Sequence, residues 1–172
     1  MIFEKTPLID CWIIQPKVHG DDRGSFMESF KKELFESTVG PISFIQENEA
    51  VSSYGVIRGM HFQKEAYAQS KLVRVVQGSI IDIVIDLRED SPTYNKSFRI
   101  ELTSKNKKQL FVPKGFAHGY GVTSDAAVVV YKVDAPYKKD AESGISPLNP
   151  TYHLDWGIPK EDQKINKRDL NW

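Results

Sequence analysis

The sequence predicts an all-β protein, an antiparallel sandwich or barrel with a few short helical pieces. Three observations carry that expectation. Short segments rich in Val, Ile, Phe and Tyr recur along the chain, and clusters of Gly, Pro, Asn and Asp separate them. Polar side chains also fall repeatedly on strand faces that are otherwise valine, which suits a barrel with a polar, ligand-holding interior.

Taken in order, the strand candidates are CWIIQPKV (11–18), GSFMESF (24–30), ISFIQENEAV (42–51), GVIRGMHFQ (55–63), KLVRVVQG (71–78), SIIDIVIDL (79–87), KSFRIEL (96–102), QLFVPKGFAHGYGV (109–122) and AAVVVYKV (126–133). The turn signals between them are HGDDRG, REDSPTYN, TSKNKKQ and TSD. KKELFEST (31–38) is the one clear helical piece, and KNKK (105–108) reads as a solvated turn. From about residue 134 the pattern loosens into a Pro- and Asp-rich tail with room for one short helical turn. Neither an internal repeat nor a low-complexity segment is present.

Composition narrows the function classes. A chain of 172 residues is long enough for one domain with a buried core. Its 23 basic residues balance 23 acidic ones, so no global field draws it to nucleic acid or to an anionic membrane. Cys11 is the only cysteine, which excludes an intramolecular disulfide and a thiolate metal cluster. The opening MIFEKTPLIDCWII has an early acid and no long apolar run, so it does not read as a signal peptide. No stretch approaches the ~20 apolar residues of a membrane span. A cytoplasmic protein is expected.

Period-two alternation assigns side chains to faces. Lys71 shares a face with Val73 and Val75, Tyr131 with Ala127 and Val129, and Asp82 and Asp86 with Val84. His61 stands in IRGMHFQ, where a metal-binding barrel would place a second histidine two residues on; Gln63 stands there instead. The remaining histidines are His19, His118 and His153, and a site of His61, His118 and an acid stays open. The alternative use of His61 is as a general base. Such a base needs a carboxylate to fix its tautomer, a cation beside a developing enolate oxygen, and a proton donor opposite. An Asp, Lys71 and Tyr131 are the residue types that fill those roles.

The segments DDRGSFMESF, IQEN, VIRGMHFQ, AQSKLVRVVQGSIIDIVIDLREDSPTY, QLFVPKGFAHGY, VVYKVDAPYKKDAESGI and KRD follow one another from about residue 14 to 169. As an ordered set they resemble the dTDP-4-dehydrorhamnose 3,5-epimerase family. The resemblance implies one cupin-type antiparallel β-barrel (a jelly roll) over residues 1–172, without metal or other cofactor. It also implies a homodimer and a dTDP-linked 4-keto-6-deoxyhexose as substrate.

Carried over residue by residue, the resemblance makes His61 the base, Asp169 its carboxylate, Tyr131 the opposing acid and Lys71 the cation at the carbonyl oxygen. Arg23, Glu28, Gln46 and Asn48 match nucleotide-contacting positions, with Arg23 and Glu28 expected to serve the partner's site or, alternatively, to pair with each other. Arg58 and His118 match polar groups near the diphosphate and sugar, His118 alternatively bracing its own turn. Glu142 matches a further binding position. Arg168, also expected to bind substrate, stands where the family commonly has lysine, so the charge is kept and the geometry changes. The sequence given ends at Trp172, with little of the tail that often follows in the family.

The implied reaction is base-catalysed enolisation beside a 4-keto group, inverting carbons 3 and 5 to give dTDP-4-dehydro-L-rhamnose. The alternatives are a 3- or 5-mono-epimerase on a related nucleotide-linked keto sugar and a non-catalytic nucleotide-sugar-binding cupin.

Overall fold

The computed structural model describes all residues, 1–172, and is mostly β. In chain order the strands are β1 (Ile2–Lys5), β2 (Trp12–Gln15), β3 (Val18–Asp21), β4 (Gly24–Met27), β5 (Gln46–Ser53), β6 (Val56–Gln63), β7 (Lys71–Gln77), β8 (Ser79–Asp86), β9 (Ser97–Thr103), β10 (Gln109–Val112), β11 (Phe116–Val122), β12 (Ala126–Val133), β13 (Glu142–Gly144) and β14 (Lys164–Ile165). Helix α1 (Lys32–Thr38) follows β4, and α2 (Lys167–Leu170) follows β14. One sheet has the order β1-β2-β10-β7-β12-β5. The other runs β13-β6-β11-β8-β9, with β14 pairing β6 in parallel. Strands β3 and β4 form a separate hairpin. Both ladders end at edge strands, so the expected barrel is present as two open sheets rather than one ring of hydrogen bonds.

Alternation along the strands builds three apolar layers. Val73, Val75, Leu110, Val112, Ala127 and Val129 of the first sheet meet Ile80, Val84, Leu102 and Val122 of the second in one buried cluster. Behind the second sheet, Ile81, Ile83, Ile85, Ile57 and Met60 pack against Trp156 and Ile158 from the tail. Strand β8 is therefore buried on both faces, which explains its unbroken run of isoleucine and valine around two aspartates. Behind the first sheet, Phe35 of α1 sits with Ile14, Leu72 and Phe111, its ring 5.3 Å from that of Phe111 in an edge-on pair. The short helix forms because it brings Phe35 to the one face the second sheet leaves uncovered.

Several expectations need correction. QLFVPKGFAHGYGV is two strands in different sheets. Pro113 cannot donate to a ladder, and Gly115, at φ +82°, turns the chain from β10 across to β11. CWIIQPKV is likewise interrupted at Pro16, between β2 and β3. ISFIQENEAV begins its strand only at Gln46, while Phe44 and Ile42 pack against the layer around Phe35. The tail carries more than one turn. It supplies β13, β14, three short helical turns and the whole outer covering of the second sheet. Strand β1, Ile2–Lys5, lies outside the segments that the sequence pattern marks.

Where β6 pairs with β11, at a register shift between His118 and Tyr120, the backbones come unusually close. Gly59 has φ +128°, and a Cβ there would stand 2.5 Å from Gly119 Cα and 2.8 Å from the His118 carbonyl oxygen. Gly59→Ala is expected to lower stability by at least about 1–3 kcal/mol, because the added carbon must push two paired strands apart. A urea midpoint equal to wild type would contradict this account of the close approach.

Candidate active site

One open end of the sandwich forms a cleft of about 440 Å³ lined from both sheets. Gln46, Asn48, Lys71 and Tyr131 come from β5, β7 and β12 of the first sheet. His61, Gln63 and Glu142 come from β6 and β13 of the second. Cross-strand register places Tyr131 beside Asn48, and puts His61 between His118 on one neighbour and Gly144 on the other.

At the centre, His61 Nε2 lies 2.9 Å from Asp169 Oδ1. Asp169 is 3% exposed, and its Oδ2 accepts a long hydrogen bond of 3.4 Å from the Gly59 backbone N–H. An ionised carboxylate only accepts, so Nε2 carries the imidazole proton and Nδ1 keeps its lone pair. Burial holds the His61 ring below its ordinary pKa; Asp169 pulls it back up, and Lys71 and Arg168 oppose that pull. A neutral imidazole with one fixed tautomer is the form a general base requires.

Lys71 and Tyr131 face this pair from the first sheet. Burial draws the Lys71 ammonium down to about 8, against the opposing pull of Asp82 and Glu142. Burial raises the Tyr131 phenol, while the nearby Arg58 charge and a hydrogen bond with Asn48 act the other way. The phenol is therefore fully protonated near neutrality. A base with a fixed tautomer, a cation and a proton donor share one cleft, an arrangement suited to moving a proton at carbon beside a carbonyl.

The other expected residues divide. Gln46 and Asn48 line the cleft and are joined by a 2.7 Å hydrogen bond from Gln46 Nε2 to Asn48 Oδ1. Glu142 lines it too and accepts from the Tyr137 hydroxyl at 2.9 Å. Arg58 lies outside the lining, with Nε donating to Ser52 Oγ at 3.0 Å. His118 is buried behind the cleft, its Nε2 2.9–3.0 Å from both carboxylate oxygens of Asp82. Arg168 borders Asp169 and Glu142 without lining the cleft.

Arg23 and Glu28 are not brought to the cleft, nor to each other. Arg23 pairs with Asp21 on the exposed β3–β4 hairpin, because the tight turn sets those two side chains side by side. Glu28 lines a separate hollow with Lys17, His19 and Lys31. The open three-ligand metal alternative also fails on geometry. His61 and His118 are cross-strand neighbours, each bonded through Nε2 to its own carboxylate, and no three His, Cys, Asp or Glu side chains converge to hold an ion.

Residues missed in the sequence include Tyr137 and Gln69, both lining the cleft. Gln63 is a special case. Its amide is consumed by the carbonyls of Tyr67 and Pro136 and by the Lys138 N–H, so it ties the rim together while lining the cleft. Nothing in a single sequence marks a glutamine for that use.

Comparison with known proteins gives a consistent result. A family model described as dTDP-4-dehydrorhamnose 3,5-epimerase matches residues 5–172. The dTDP-4-dehydrorhamnose 3,5-epimerase of Shigella flexneri is 44% identical over 168 residues, 97% of this chain and 92% of that protein. The crystal structure of the enzyme of that name from Elizabethkingia anophelis superposes with a TM-score of 0.96 at 44% identity, covering 99% of this chain and 94% of that one. The Legionella pneumophila dTDP-6-deoxy-D-glucose-3,5-epimerase, in complex with dTDP-4-keto-L-rhamnose, superposes at 0.94 with 36% identity, covering 99% and 90%. No helix here is long and apolar enough to cross a membrane.

The Lys71 environment makes a direct prediction. Its ammonium should titrate near 8 rather than near the ordinary 10.5, losing its charge as pH rises through that value. NMR of the labelled lysine ε-carbon, assigned with Lys71→Met, measures it. A midpoint at the ordinary value would mean that water solvates the ammonium.

Proposed function

The chain belongs to the dTDP-4-dehydrorhamnose 3,5-epimerase family, and we propose that its His61, Lys71, Tyr131 and Asp169 carry out the reaction in this cleft. The protein is an isomerase. It inverts carbons 3 and 5 of dTDP-4-dehydro-6-deoxy-D-glucose to give dTDP-4-dehydro-L-rhamnose. The observation that carries the assignment of residues is the His61–Asp169 pair at 2.9 Å, facing Lys71 and Tyr131 across the gap between two sheets.

Carbons 3 and 5 both flank the carbon-4 carbonyl, so a proton leaving either one sends its bonding electrons toward the same oxygen. His61 Nδ1 accepts that proton and becomes imidazolium, stabilised by the Asp169 carboxylate. The Lys71 ammonium lies against the carbon-4 oxygen and holds the enolate charge. Tyr131, from the opposite sheet, gives its phenolic proton to the other face of the same carbon, completing inversion. The imidazolium then loses its proton to solvent and the phenolate regains one, so no net charge or electron is consumed. One cation serves both carbons, and the ketone is the electron sink.

Gln46, Asn48 and Glu142 are placed to meet polar groups of the nucleotide-sugar. Arg23 and Glu28 stand exposed on a hairpin away from their own cleft, which suits delivery into the cleft of a second copy. A cytoplasmic homodimer with a jelly-roll fold of the cupin type is the assembly this reading uses. Arg58 and His118 act from behind the lining, Arg58 on the phenol and His118 through Asp82.

Proton NMR in heavy water, following label and configuration at carbons 3 and 5, tests the function. Deuterium entering both carbons with inversion is expected. Label at one carbon would indicate a mono-epimerase, and label at neither a binding protein. His61→Ala should slow exchange at both carbons by about 10²–10⁴-fold while thymidine-diphosphate binding holds. Near-full exchange in that variant would remove His61 as the base.

Tyr131→Phe should separate proton removal from proton return. The ring still packs and only the hydroxyl is lost, so solvent label should enter from the His61 side after net inversion has stopped. Wild-type inversion at both carbons by Tyr131→Phe would assign the acid elsewhere.

A further inference from the structure

The strand that carries Lys71 is secured just before it begins. The Ser70 backbone N–H donates to Asp134 Oδ1 at 2.7 Å, and Gln69 Nε2 donates to the Ala135 carbonyl at 2.7 Å. Ser70 is 3% exposed, so its N–H has little access to water. The second Asp134 oxygen, Oδ2, lies 3.3 Å from Lys114 Nζ on the turn between β10 and β11. Asp134 directly follows β12, whose last residue, Val133, pairs with Lys71 across the ladder. On its other side Lys71 pairs with Val112 of β10. Asp134, Ser70 and Lys114 do not line the cleft, whereas Gln69, Lys71 and Tyr131 do.

From Asp134 the chain crosses toward the second sheet. The Pro136 carbonyl accepts from Gln63 Nε2 at 3.0 Å, and the Lys138 N–H donates to Gln63 Oε1 at 2.6 Å. Gln63 stands two residues from His61 on β6. The connector is therefore fastened at one end beside Lys71 and at the other beside His61.

We propose that Asp134 is a positioning residue: by clamping Ser70 to the end of β12 it fixes where Lys71 enters the cleft, and so holds the ammonium at the carbon-4 oxygen. The inference rests on the epimerase reading above.

The clamp works through its hydrogen bond, and loss of its charge alone would have the opposite sign. The titratable groups around Lys71 are His61 on β6, Asp82 on β8, Tyr131 on β12 and Glu142 on β13. Asp82 and Glu142 favour its ammonium, and burial opposes them. Removing a nearby anion would push the Lys71 midpoint further down. A buried Ser70 N–H without an acceptor instead loosens the ladder end and admits water. That raises the midpoint from about 8 toward the ordinary 10.5.

Three variants separate bond from charge. Asp134→Ala drops both, Asp134→Asn keeps an oxygen for the Ser70 N–H, and Lys114→Met removes only the cation. The readouts are kcat and KM of epimerisation, the dissociation constant of thymidine diphosphate, and the Lys71 ε-carbon titration by NMR in ligand-free protein. Asp134→Ala should lose kcat by up to about 10²-fold, the cost of a misplacement of about 1 Å, with thymidine-diphosphate binding unchanged. Its Lys71 midpoint should rise. Asp134→Asn and Lys114→Met should stay near wild type in both respects.

Wild-type kcat in Asp134→Ala, an unmoved or lowered Lys71 midpoint there, or a loss that falls on KM and nucleotide binding would overturn the proposal. So would an Asp134→Asn as slow as Asp134→Ala. If Asp134→Ala fails to fold, amide exchange in the wild-type protein decides. Protection of the Ser70 N–H equal to that of the β7 ladder supports the clamp, and exchange at the rate of an open loop refutes it. Absence of turnover in the wild-type protein would instead bring down the epimerase reading, while the ligand-free Lys71 titration would still test the clamp.

Discussion

The hydrogen bond between His61 and Asp169 joins positions 108 residues apart, and much of the architecture serves to make it possible. A carboxylate as buried as Asp169 must have its charge answered by donors, or its burial costs more than the fold can offset. Three groups do so: the imidazole, the Gly59 backbone N–H and the Arg168 guanidinium. Each depends on a different part of the chain. Gly59 permits β6 to approach β11, the tail returns along the second sheet to present α2, and Arg168 ties α2 to β13.

The second constraint is the opening between the sheets. In the middle of the sandwich the inward positions of β7 and β12 are apolar, and they give way to Lys71 and Tyr131 toward the cleft. The same inward face thus changes from core to site along each strand. Desolvation by that core lowers the pKa of Lys71 and His61 and raises that of Tyr131. All three shifts favour the neutral form, leaving the His61 ring uncharged and the Tyr131 phenol protonated, while Lys71, down to about 8, keeps its ammonium at neutral pH. A second carboxylate–histidine pair, Asp82 with His118, lies directly behind the first. Its buried carboxylate, which also pulls on Lys71, is satisfied internally and is not an open charge in the cleft.

The outer layers explain why a mostly β chain needs its few helices and its long irregular tail. Sheets with two apolar faces must be covered on both. Helix α1 covers the first through Phe35, and Trp156 and Ile158 cover the second. The tail is therefore both cover and carrier: residues that shield Ile81 and Ile83 lead on to the turn that delivers Asp169.

Period-two alternation determined that Lys71, Tyr131 and Asp82 share strand faces with valines, because side-chain direction in a strand is a local property. The α1 segment and most strand segments were legible for the same reason. The ordered segments also made the family legible as a resemblance. Local pattern failed where a choice depended on distant partners. Whether QLFVPKGFAHGYGV is one strand or two turns on which sheet each half pairs with, and the tail has no period because its order comes from the face it covers. Likewise, Arg23 and Glu28 look like neighbours of the site in sequence, yet the hairpin holds them away from their own cleft. The sequence by itself determined which side chains share a strand face. Tertiary structure alone decided which of them meet, since a contact between positions 61 and 169 is set by the closure of two sheets and carries no local signature.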